Sequence, residues 1–138
     1  MTEAQQLASF ITGTSFEDLS DHAVTQLKLR VLDALGCAVG ALEAVPVAAI
    51  RAQIKDFEDG GRCTLIGGGS ASPDRAALYN SALVRYLDFN DSYLARGETC
   101  HPSDNLGAVL AAGEYGRISG RELLVSLAAA YQVQCRLS

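Results

Sequence analysis

Basic residues are scarce in this sequence, and tryptophan is absent. Only 11 of its 138 residues are lysine or arginine, against 16 aspartates and glutamates, which gives a formal net charge of −5. Because nucleic-acid binding depends on clustered cations that neutralise phosphates, this balance excludes a nucleic-acid-binding domain. A small anionic partner still fits, provided that a few cations converge locally.

Long hydrophobic runs are missing as well. The longest apolar run without a charged residue covers residues 34–42, which is nine positions, whereas a membrane-spanning helix needs about 20. The sequence also shows neither a signal peptide nor a basic amphipathic helix. We therefore expect a soluble, cytoplasmic protein that has no membrane and no nucleic acid among its partners.

Cysteine is sparse and widely spaced. The four cysteines are Cys37, Cys63, Cys100 and Cys135. They form no C-x-x-C pair, which argues against a structural zinc site, and no signal peptide accompanies them, which argues against a secreted disulfide framework. We predict four reduced thiols, most of them buried.

What the sequence does contain is a series of helix signals. Hydrophobic residues make up 49% of the chain and charged residues 20%, which suits a folded chain with a hydrophobic core. In the longest predicted helix, apolar residues recur with the 3.6-residue period of one buried stripe, at Val24, Leu27, Val31, Leu35, Ala38 and Leu42. Predicted helices begin after caps at Thr2, Ser20, Ser72 (followed by Pro73), Ser103 or Asp104, and Ser119, and one more begins near Pro46.

These signals predict helices at about residues 3–11, 21–42, 46–57, 73–87, 104–115 and from 120 onward. Ser119 and Glu122 form a capping box at the last of them, and residues 63–66 suit a short strand or an extended arm. The predicted fold class is all-α, a bundle of about six helices that makes residues 1–138 one helical domain or a fragment of one. Because the last helix is still apolar at Leu137, we expect the chain to be the front of a longer protein.

Two groups of glycines carry further predictions. Gly36 and Gly40 lie four residues apart on the second helix, and they are predicted to permit a close helix crossing. The triplet at residues 67–69 lacks the lysine and the spacing of a phosphate-binding loop. A flexible connector is therefore predicted there.

The segment from Asp88 to Asp104 stands apart as a polar loop between two well-signalled helices. It contains four carboxylates and one of the two histidines, and loops on a rigid scaffold are where functional groups collect. His101 can act as a general acid or base near neutral pH, and Pro102 restricts its backbone to extended conformations. The alternative is a surface histidine in a turn.

Asp88 and Asp91 are three residues apart, so both would face one way if helical geometry continued past Leu87. Paired carboxylates raise the pKa of one partner, which suits acid–base catalysis; the alternative is that they only cap and solvate the helix end. A nucleophile made of Cys100 and His101 is disfavoured, because neighbours in an extended chain point in opposite directions. A metal site built from Asp91, Cys100 and His101 lacks ligand spacing on a defined element.

The same segment resembles the MmgE/PrpD family. The similarity rests on Leu87-Asp-Phe-Asn-Asp91, followed by the run Cys100-His-Pro-Ser-Asp-Asn-Leu-Gly-Ala-Val-Leu110. Weaker matches are Arg30-Val-Leu-Asp-Ala-Leu-Gly36, Ala76-Ala-Leu-Tyr-Asn80 and Ala130-Tyr-Gln-Val-Gln-Cys-Arg136. Together these stretches cover nearly the whole chain.

This resemblance implies a helical domain that is joined in the family to a smaller α/β lid, with the active site between the two. It implies an enzyme that needs no metal, iron–sulfur cluster or other cofactor and that forms a homodimer. In similar enzymes the first acid of the L-D-F-x-D motif, the hydroxyl residue after it and the histidine of H-P-S lie in the site. These correspond to Asp88, Ser92 and His101, and Asp91 is expected beside them.

The function implied by the resemblance is a hydro-lyase that removes water from a small tricarboxylic acid, as 2-methylcitrate dehydratases do in propionate catabolism. Removal of water needs a base for a proton on carbon and an acid for the leaving hydroxyl. We expect the catalytic groups to be His101, Asp88 and Asp91, and the substrate-binding groups to be Ser92, Arg96 and Ser103.

Two alternatives stay open. One is decarboxylation of cis-aconitate in the same pocket, although residues 93–100 look more like those of the dehydratases. The other is an inactive helical or dimerisation module, because members of the family are far longer and bring further substrate-binding groups from later helices and the lid. By itself this chain is therefore expected to be inactive, since half a site rarely positions a substrate.

Overall fold

The computed structural model describes residues 1–57 and 60–138, and within them the chain is built from six α-helices. The helices are α1 (Glu3–Gly13), α2 (Asp21–Gly40), α3 (Val45–Phe57), α4 (Pro73–Tyr86), α5 (Leu106–Gly116) and α6 (Gly120–Leu137). Four two-residue strands form two antiparallel pairs, β1 (Cys63–Thr64) with β2 (Ser70–Ala71) and β3 (Tyr93–Leu94) with β4 (Thr99–Cys100). The predicted all-α class and the number of helices are confirmed.

Most of the predicted helix starts are confirmed by their caps. The Ser20 hydroxyl accepts a hydrogen bond from the amide of Ala23 at 3.2 Å. At α6 the Ser119 hydroxyl accepts from the amide of Glu122, whose carboxylate accepts from the Ser119 amide at 2.7 Å. Each cap satisfies amides that the first helical turn leaves without partners. Pro73 stands in the first turn of α4, as its fixed φ favours.

The predicted start of α5 is wrong. Neither Ser103 nor Asp104 caps this helix, because a single 3-10 turn over Pro102–Asn105 precedes it and α5 begins at Leu106. The hydroxyl of Ser103 instead accepts a hydrogen bond from Asn90. A tertiary partner therefore takes the side chain that local sequence assigns to a cap.

The core lies around α4, which packs against α5, α2 and α3. The largest fully buried side chains of α4 are Tyr79, Leu83 and Val84. The tightest helix crossing is between α4 and α5, where a Cβ added to Gly107 would lie 2.4 Å from the backbone nitrogen of Ser81. Only glycine allows the two backbones to approach so closely, and this crossing fixes α4 and α5 on either side of the polar segment between them.

The close crossing predicted at Gly36 is wrong. A Cβ built on Gly36 would meet nothing within 4 Å, because this residue faces outward from α2. Gly40 does approach another element, but a Cβ built on it would lie 2.9 Å from a side-chain carbon of Leu87, not from the backbone of a second helix. Spacing along one helix therefore did not identify the glycine at the crossing.

The glycine triplet at residues 67–69 connects β1 to β2. All three glycines have positive φ values, of 91°, 110° and 89°, a region that other residues rarely adopt. Arg51 of α3 donates a hydrogen bond to the carbonyl of Gly68 at 2.7 Å. The short strand predicted within residues 63–66 covers only Cys63–Thr64, and the triplet is the connector that follows it, as predicted; its flexibility stays a prediction.

Within residues 1–57 and 60–138, no single helix combines the length and the apolar composition needed to cross a membrane. Helices α2 and α3 reach that length and apolar composition only when they are counted together, and the angle between them is 86°.

Candidate active site

The segment between α4 and α5 folds back on itself through a small hairpin. Its two strands pair Tyr93 with Cys100, and the amide of Ala95 donates to the carbonyl of Glu98 at 2.9 Å across the turn. Because the chain reverses here, residues 91 and 92 at the start of the hairpin come beside His101 at its end. The hairpin therefore gathers side chains that are about ten positions apart in sequence.

The imidazole of His101 is held by the backbone just before β3. Its Nδ1 lies 2.8 Å from the carbonyl oxygen of Asp91, and the hydroxyl of Ser92 lies 3.4 Å from the same nitrogen. A carbonyl oxygen only accepts, so Nδ1 must carry the hydrogen. In the neutral ring this leaves Nε2 without a proton and free to take one.

The carboxylate of Asp91 is held on both of its oxygens by groups other than the imidazole. Oδ1 accepts from the backbone amide of Ser103 at 3.0 Å, and Oδ2 accepts from the hydroxyl of Tyr131 at 2.8 Å. Burial and the bond to Asp91 raise the pKa of Tyr131, so its hydroxyl stays a donor. Asp91 therefore contacts His101 through its backbone, and α6 holds the carboxylate.

Asn90 is buried and joins both ends of the segment. Its side-chain amide donates to the hydroxyl of Ser103 at 2.9 Å and to the carboxylate of Asp104 at 2.8 Å, and its oxygen lies 3.4 Å from the guanidinium of Arg85. Both amide hydrogens are therefore used. A buried amide that loses its hydrogen bonds costs free energy, so Asn90 is held in this position. The backbone of the neighbouring Asp91 is held with it.

Asp88 and Asp104 are two carboxylates near one arginine, in opposite surroundings. Asp88 is exposed, and its hydrogen bond with Arg85, together with the positive charge of that guanidinium, lowers its pKa. Burial raises the pKa of Asp104, although its bond from Asn90 and the charge of Arg85 act against that rise. The different surroundings therefore shift the pKa values of the two acids in opposite directions, as they do in many acid–base sites.

The expectation that Asp88 and Asp91 share one helical face is wrong. Helix α4 ends at Tyr86, and Asp88 adopts a left-handed conformation with φ of 56°. The turn this makes sends the chain away from the helix axis, so Asp88 lies on the surface while the carboxylate of Asp91 points inward toward Tyr131.

Ser92, Arg96 and Ser103 differ in how open they are. Ser92 is exposed beside the imidazole, and Arg96 is exposed at the tip of the hairpin, between β3 and β4. Ser103 is only 2% exposed, and its hydroxyl and amide serve Asn90 and Asp91. Ser103 therefore holds its neighbours in place and is not accessible to a ligand, whereas Ser92 and Arg96 are accessible from solvent.

The sequence alone predicts no role for Asn90 or Tyr131. Asn90 lies within the L-D-F-N-D motif. An amide side chain that is buried must find hydrogen-bond partners, and here they are Ser103 and Asp104. Tyr131 lies on α6, 40 residues after Asp91, and no local pattern in the sequence links the two. In the part of the chain that the structure describes, no group of three or more His, Cys, Asp or Glu side chains is arranged to hold a metal ion.

A cavity of about 840 Å³ lies on the far side of Tyr131, between α1, α2 and α6. Its lining is mostly apolar and includes Phe10, Leu27 and Arg30, but it does not include His101. This cavity is therefore a separate feature from the imidazole of His101.

Comparison with known proteins places this arrangement in a family. The MmgE/PrpD N-terminal domain matches residues 5–138. The 2-methylcitrate dehydratase of Salmonella typhi is 38% identical over 109 residues, which is 73% of this chain and 21% of that protein. The 2-methylcitrate dehydratase of Escherichia coli K12 is 34% identical over 109 residues, with the same two shares.

A fungal relative gives a similar match. The probable 2-methylcitrate dehydratase of Saccharomyces cerevisiae is 32% identical over 119 residues, which is 80% of this chain and 21% of that protein. The chain thus spans about a fifth of the length of the curated relatives it matches. Because the family match covers nearly every residue, the chain belongs to the MmgE/PrpD family, and the match is to the N-terminal domain of that family.

Proposed function

We propose that this chain supplies the His101 side of a dehydratase active site that removes water from a small tricarboxylic acid of the citrate type. The observation that carries the proposal is the 2.8 Å contact between Nδ1 of His101 and the carbonyl of Asp91. It fixes the ring and its tautomer, so that Nε2 is the nitrogen available to a substrate.

The reaction needs two proton transfers. A proton leaves the carbon next to a carboxylate, which is difficult because that carboxylate is already negative, and the departing hydroxyl takes up a proton to leave as water. Nε2 of a neutral His101 accepts a proton, and Nε2 of a protonated His101 donates one. The single free nitrogen therefore suits either transfer, and the pH dependence of turnover distinguishes which one limits the rate.

Neighbouring groups support this role. The hydroxyl of Ser92 lies beside the ring and is exposed, so it can donate a hydrogen bond to substrate. Asp88 is exposed near His101, and the hydrogen bond and charge of Arg85, with a smaller effect of His101, lower its pKa, so it offers a negative charge at this site. Arg96, at the hairpin tip, is the cation of this segment that we assign to a substrate carboxylate.

The rest of the substrate must be held from outside this chain. A tricarboxylate needs several cations or hydrogen-bond donors at once, whereas Arg85 is already paired with Asp88 and Asp104. The match covers only 21% of the Salmonella typhi relative, so we assign the missing groups to the other parts of such proteins. Under this proposal the chain alone binds such acids weakly and is inactive, and both a homodimer and a cytoplasmic location remain predictions.

The test is a chimera in which this chain replaces the matching segment of the Salmonella typhi 2-methylcitrate dehydratase. We expect the chimera to dehydrate 2-methylcitrate, and the change His101→Gln to lower turnover by about a hundredfold or more, because a positioned acid–base group contributes that much. Proton NMR of the product mixture measures both results.

The matched control is His22→Gln, which removes the other histidine, exposed on α2. It should leave turnover unchanged, and circular dichroism should show that both variants are folded. Near-normal turnover by a folded His101→Gln chimera would remove the assignment. A folded chimera that only decarboxylates cis-aconitate would replace the dehydratase proposal with the decarboxylase.

A further inference from the structure

The carboxylate of Asp91 has two hydrogen-bond donors that come from different parts of the fold. Ser103, whose amide donates to Oδ1 at 3.0 Å, belongs to the polar segment itself. Tyr131, whose hydroxyl donates to Oδ2 at 2.8 Å, is half-buried on α6 and follows Asp91 by 40 residues. The hydroxyl of Tyr131 therefore links the start of the hairpin to a separate helix.

Helix α6 is a firm support for this link. It packs against the 3-10 turn over Pro102–Asn105, which directly follows His101. Gln134 is three residues after Tyr131 and so lies on the same face of the helix, and its side-chain oxygen accepts a hydrogen bond from the amide of Asn105. The helix therefore holds the polar segment on both sides of His101, through Tyr131 before the hairpin and through Gln134 after it.

We propose that Tyr131 is a positioning residue for the dehydration, and that it acts on the imidazole of His101 through Asp91. The hydroxyl of Tyr131 holds the carboxylate of Asp91 at 2.8 Å, and the carbonyl of the same aspartate accepts from Nδ1 of His101, also at 2.8 Å. Asp91 is thus held by its side chain and holds the ring by its backbone. The inference rests on the proposed function for the reaction that it serves, whereas the contacts belong to the chain alone.

The contact between Tyr131 and Asp91 is a strong one. Burial, followed by the bond to Asp91, raises the pKa of Tyr131, so its hydroxyl stays a donor throughout the neutral range. A hydrogen bond to an ionised carboxylate is stronger than one between neutral groups. Removal of the hydroxyl would take away one of the two donors that hold this carboxylate, and Asp91 would be free to shift.

The imidazole is sensitive to such a shift. In the neutral ring the hydrogen is on Nδ1 because the carbonyl of Asp91 accepts it there. If that carbonyl moves away, the preference weakens and part of the population carries its hydrogen on Nε2, which then has no lone pair to take a proton from substrate. A change at Tyr131 should therefore alter the chemistry of His101 as well as the stability of the fold.

The first experiment measures the tautomer of His101 by ring-nitrogen NMR in the folded chain and in its Tyr131→Phe variant. We expect the hydrogen on Nδ1 in the unmodified chain and a mixture of both tautomers in the variant. Tyr79→Phe is the matched control, because the hydroxyl of Tyr79 accepts a hydrogen bond from Arg51 at 2.9 Å in another part of the core. It loses a tyrosine hydrogen bond of the same kind and should leave the tautomer unchanged.

The second experiment places the same two changes in the chimera with the Salmonella typhi 2-methylcitrate dehydratase. Tyr131→Phe should lower kcat by about tenfold, because a poorly positioned acid–base group loses interactions of the transition state. The KM for 2-methylcitrate should stay within about twofold, since Tyr131 is not assigned to substrate binding. Tyr79→Phe should change neither constant, and circular dichroism shows that each variant is folded.

Three results would overturn the inference: an unchanged tautomer in the folded Tyr131→Phe chain, an equal tautomer change in Tyr79→Phe, or an active chimera whose kcat is insensitive to Tyr131→Phe. An inactive parent chimera would count against the proposed function only, and the tautomer measurement in the chain would still decide the role of Tyr131.

A second variant acts on the other end of the same contact. In Asp91→Asn the single side-chain oxygen cannot accept from both Ser103 and Tyr131, so we expect the same mixture of His101 tautomers. This measurement replaces the first if Tyr131→Phe does not fold. An unchanged tautomer in folded Asp91→Asn would then reject the role of Tyr131.

Discussion

The inner and outer sides of the segment between α4 and α5 differ sharply. On the inner side, Asn90 and Ser103 are buried, and every hydrogen bond they make is to another group of the chain. On the outer side, Asp88, Phe89 and Arg96 are exposed. The inner side therefore holds the segment in place, and the outer side presents its side chains to solvent.

His101 lies at the boundary between these two sides. Its Nδ1 faces inward to the backbone of Asp91, and its ring is half-buried. A catalytic imidazole needs such a position, because one nitrogen must be fixed while the other reaches substrate. Under the proposed function, stability and chemistry would therefore be carried by different residues, even where they are adjacent in sequence.

The largest effect on stability is expected at the crossing of α4 and α5, the two helices that hold the inner side of the segment. Gly107→Ala should lower the free energy of unfolding by about 3 kcal/mol, because its Cβ would meet backbone atoms of Ser81 at 2.4 Å and force the helices apart. Urea denaturation measures the change.

Gly36→Ala is the matched control, since nothing lies within 4 Å of a Cβ at that position in α2. It should be neutral or stabilising by up to about 1 kcal/mol, because alanine favours a helix more than glycine does. Equal losses for both variants would show that the crossing does not need its glycine.

A smaller loss is expected from the inner network itself. Asn90→Ala should lower the free energy of unfolding by about 2 kcal/mol, because the hydroxyl of Ser103 and the carboxylate of Asp104 lose their shared donor. The outer change Arg96→Ala, at the exposed hairpin tip, should stay within about 0.5 kcal/mol. Thermal and urea melts compare the two, and a larger loss for Arg96→Ala would reverse the assignment of sides.

The smallest effects concern the two acids near Arg85. We expect Arg85→Gln to raise the pKa of both Asp88 and Asp104, because each loses the positive charge that favours its ionised form. Carboxyl-carbon NMR measures both titrations. If neither pKa moved, the ion pairs with Arg85 would not exist in solution.

The two acids should also affect stability in opposite directions. The pKa of Asp88 is lowered in the folded chain, so its contribution is present above the ordinary aspartate pKa and is lost as pH falls through the lowered value. The pKa of Asp104 is raised in the folded chain, so its ionised carboxylate destabilises the fold at neutral pH. As pH falls through the raised value, the folded chain takes up this proton before the unfolded chain does, and this destabilisation is removed.

Local sequence was a reliable guide to what local chemistry determines. The caps at Ser20 and Ser119 and the proline start of α4 were predictable, because each depends on residues within one helical turn. The polar segment and His101 also stood out, since a dense group of ionisable residues between two apolar helices is unusual.

Tertiary contacts explain what could not be predicted. Tyr131 meets Asp91 across 40 residues, and Gly107 meets Ser81 across 26, so neither contact leaves a periodic signal. The cap expected at Ser103 failed because Asn90, which is distant in sequence, takes its hydroxyl. Where a side chain has both a local and a tertiary partner, sequence alone predicts only the local one.

The most direct test of the account is the tautomer of His101, read from ring-nitrogen NMR shifts of the neutral imidazole. The account predicts a hydrogen on Nδ1 and a bare Nε2, because Nδ1 donates to the carbonyl of Asp91. The opposite tautomer, with its hydrogen on Nε2, would mean that the ring is not held by Asp91 and would contradict the proposed site.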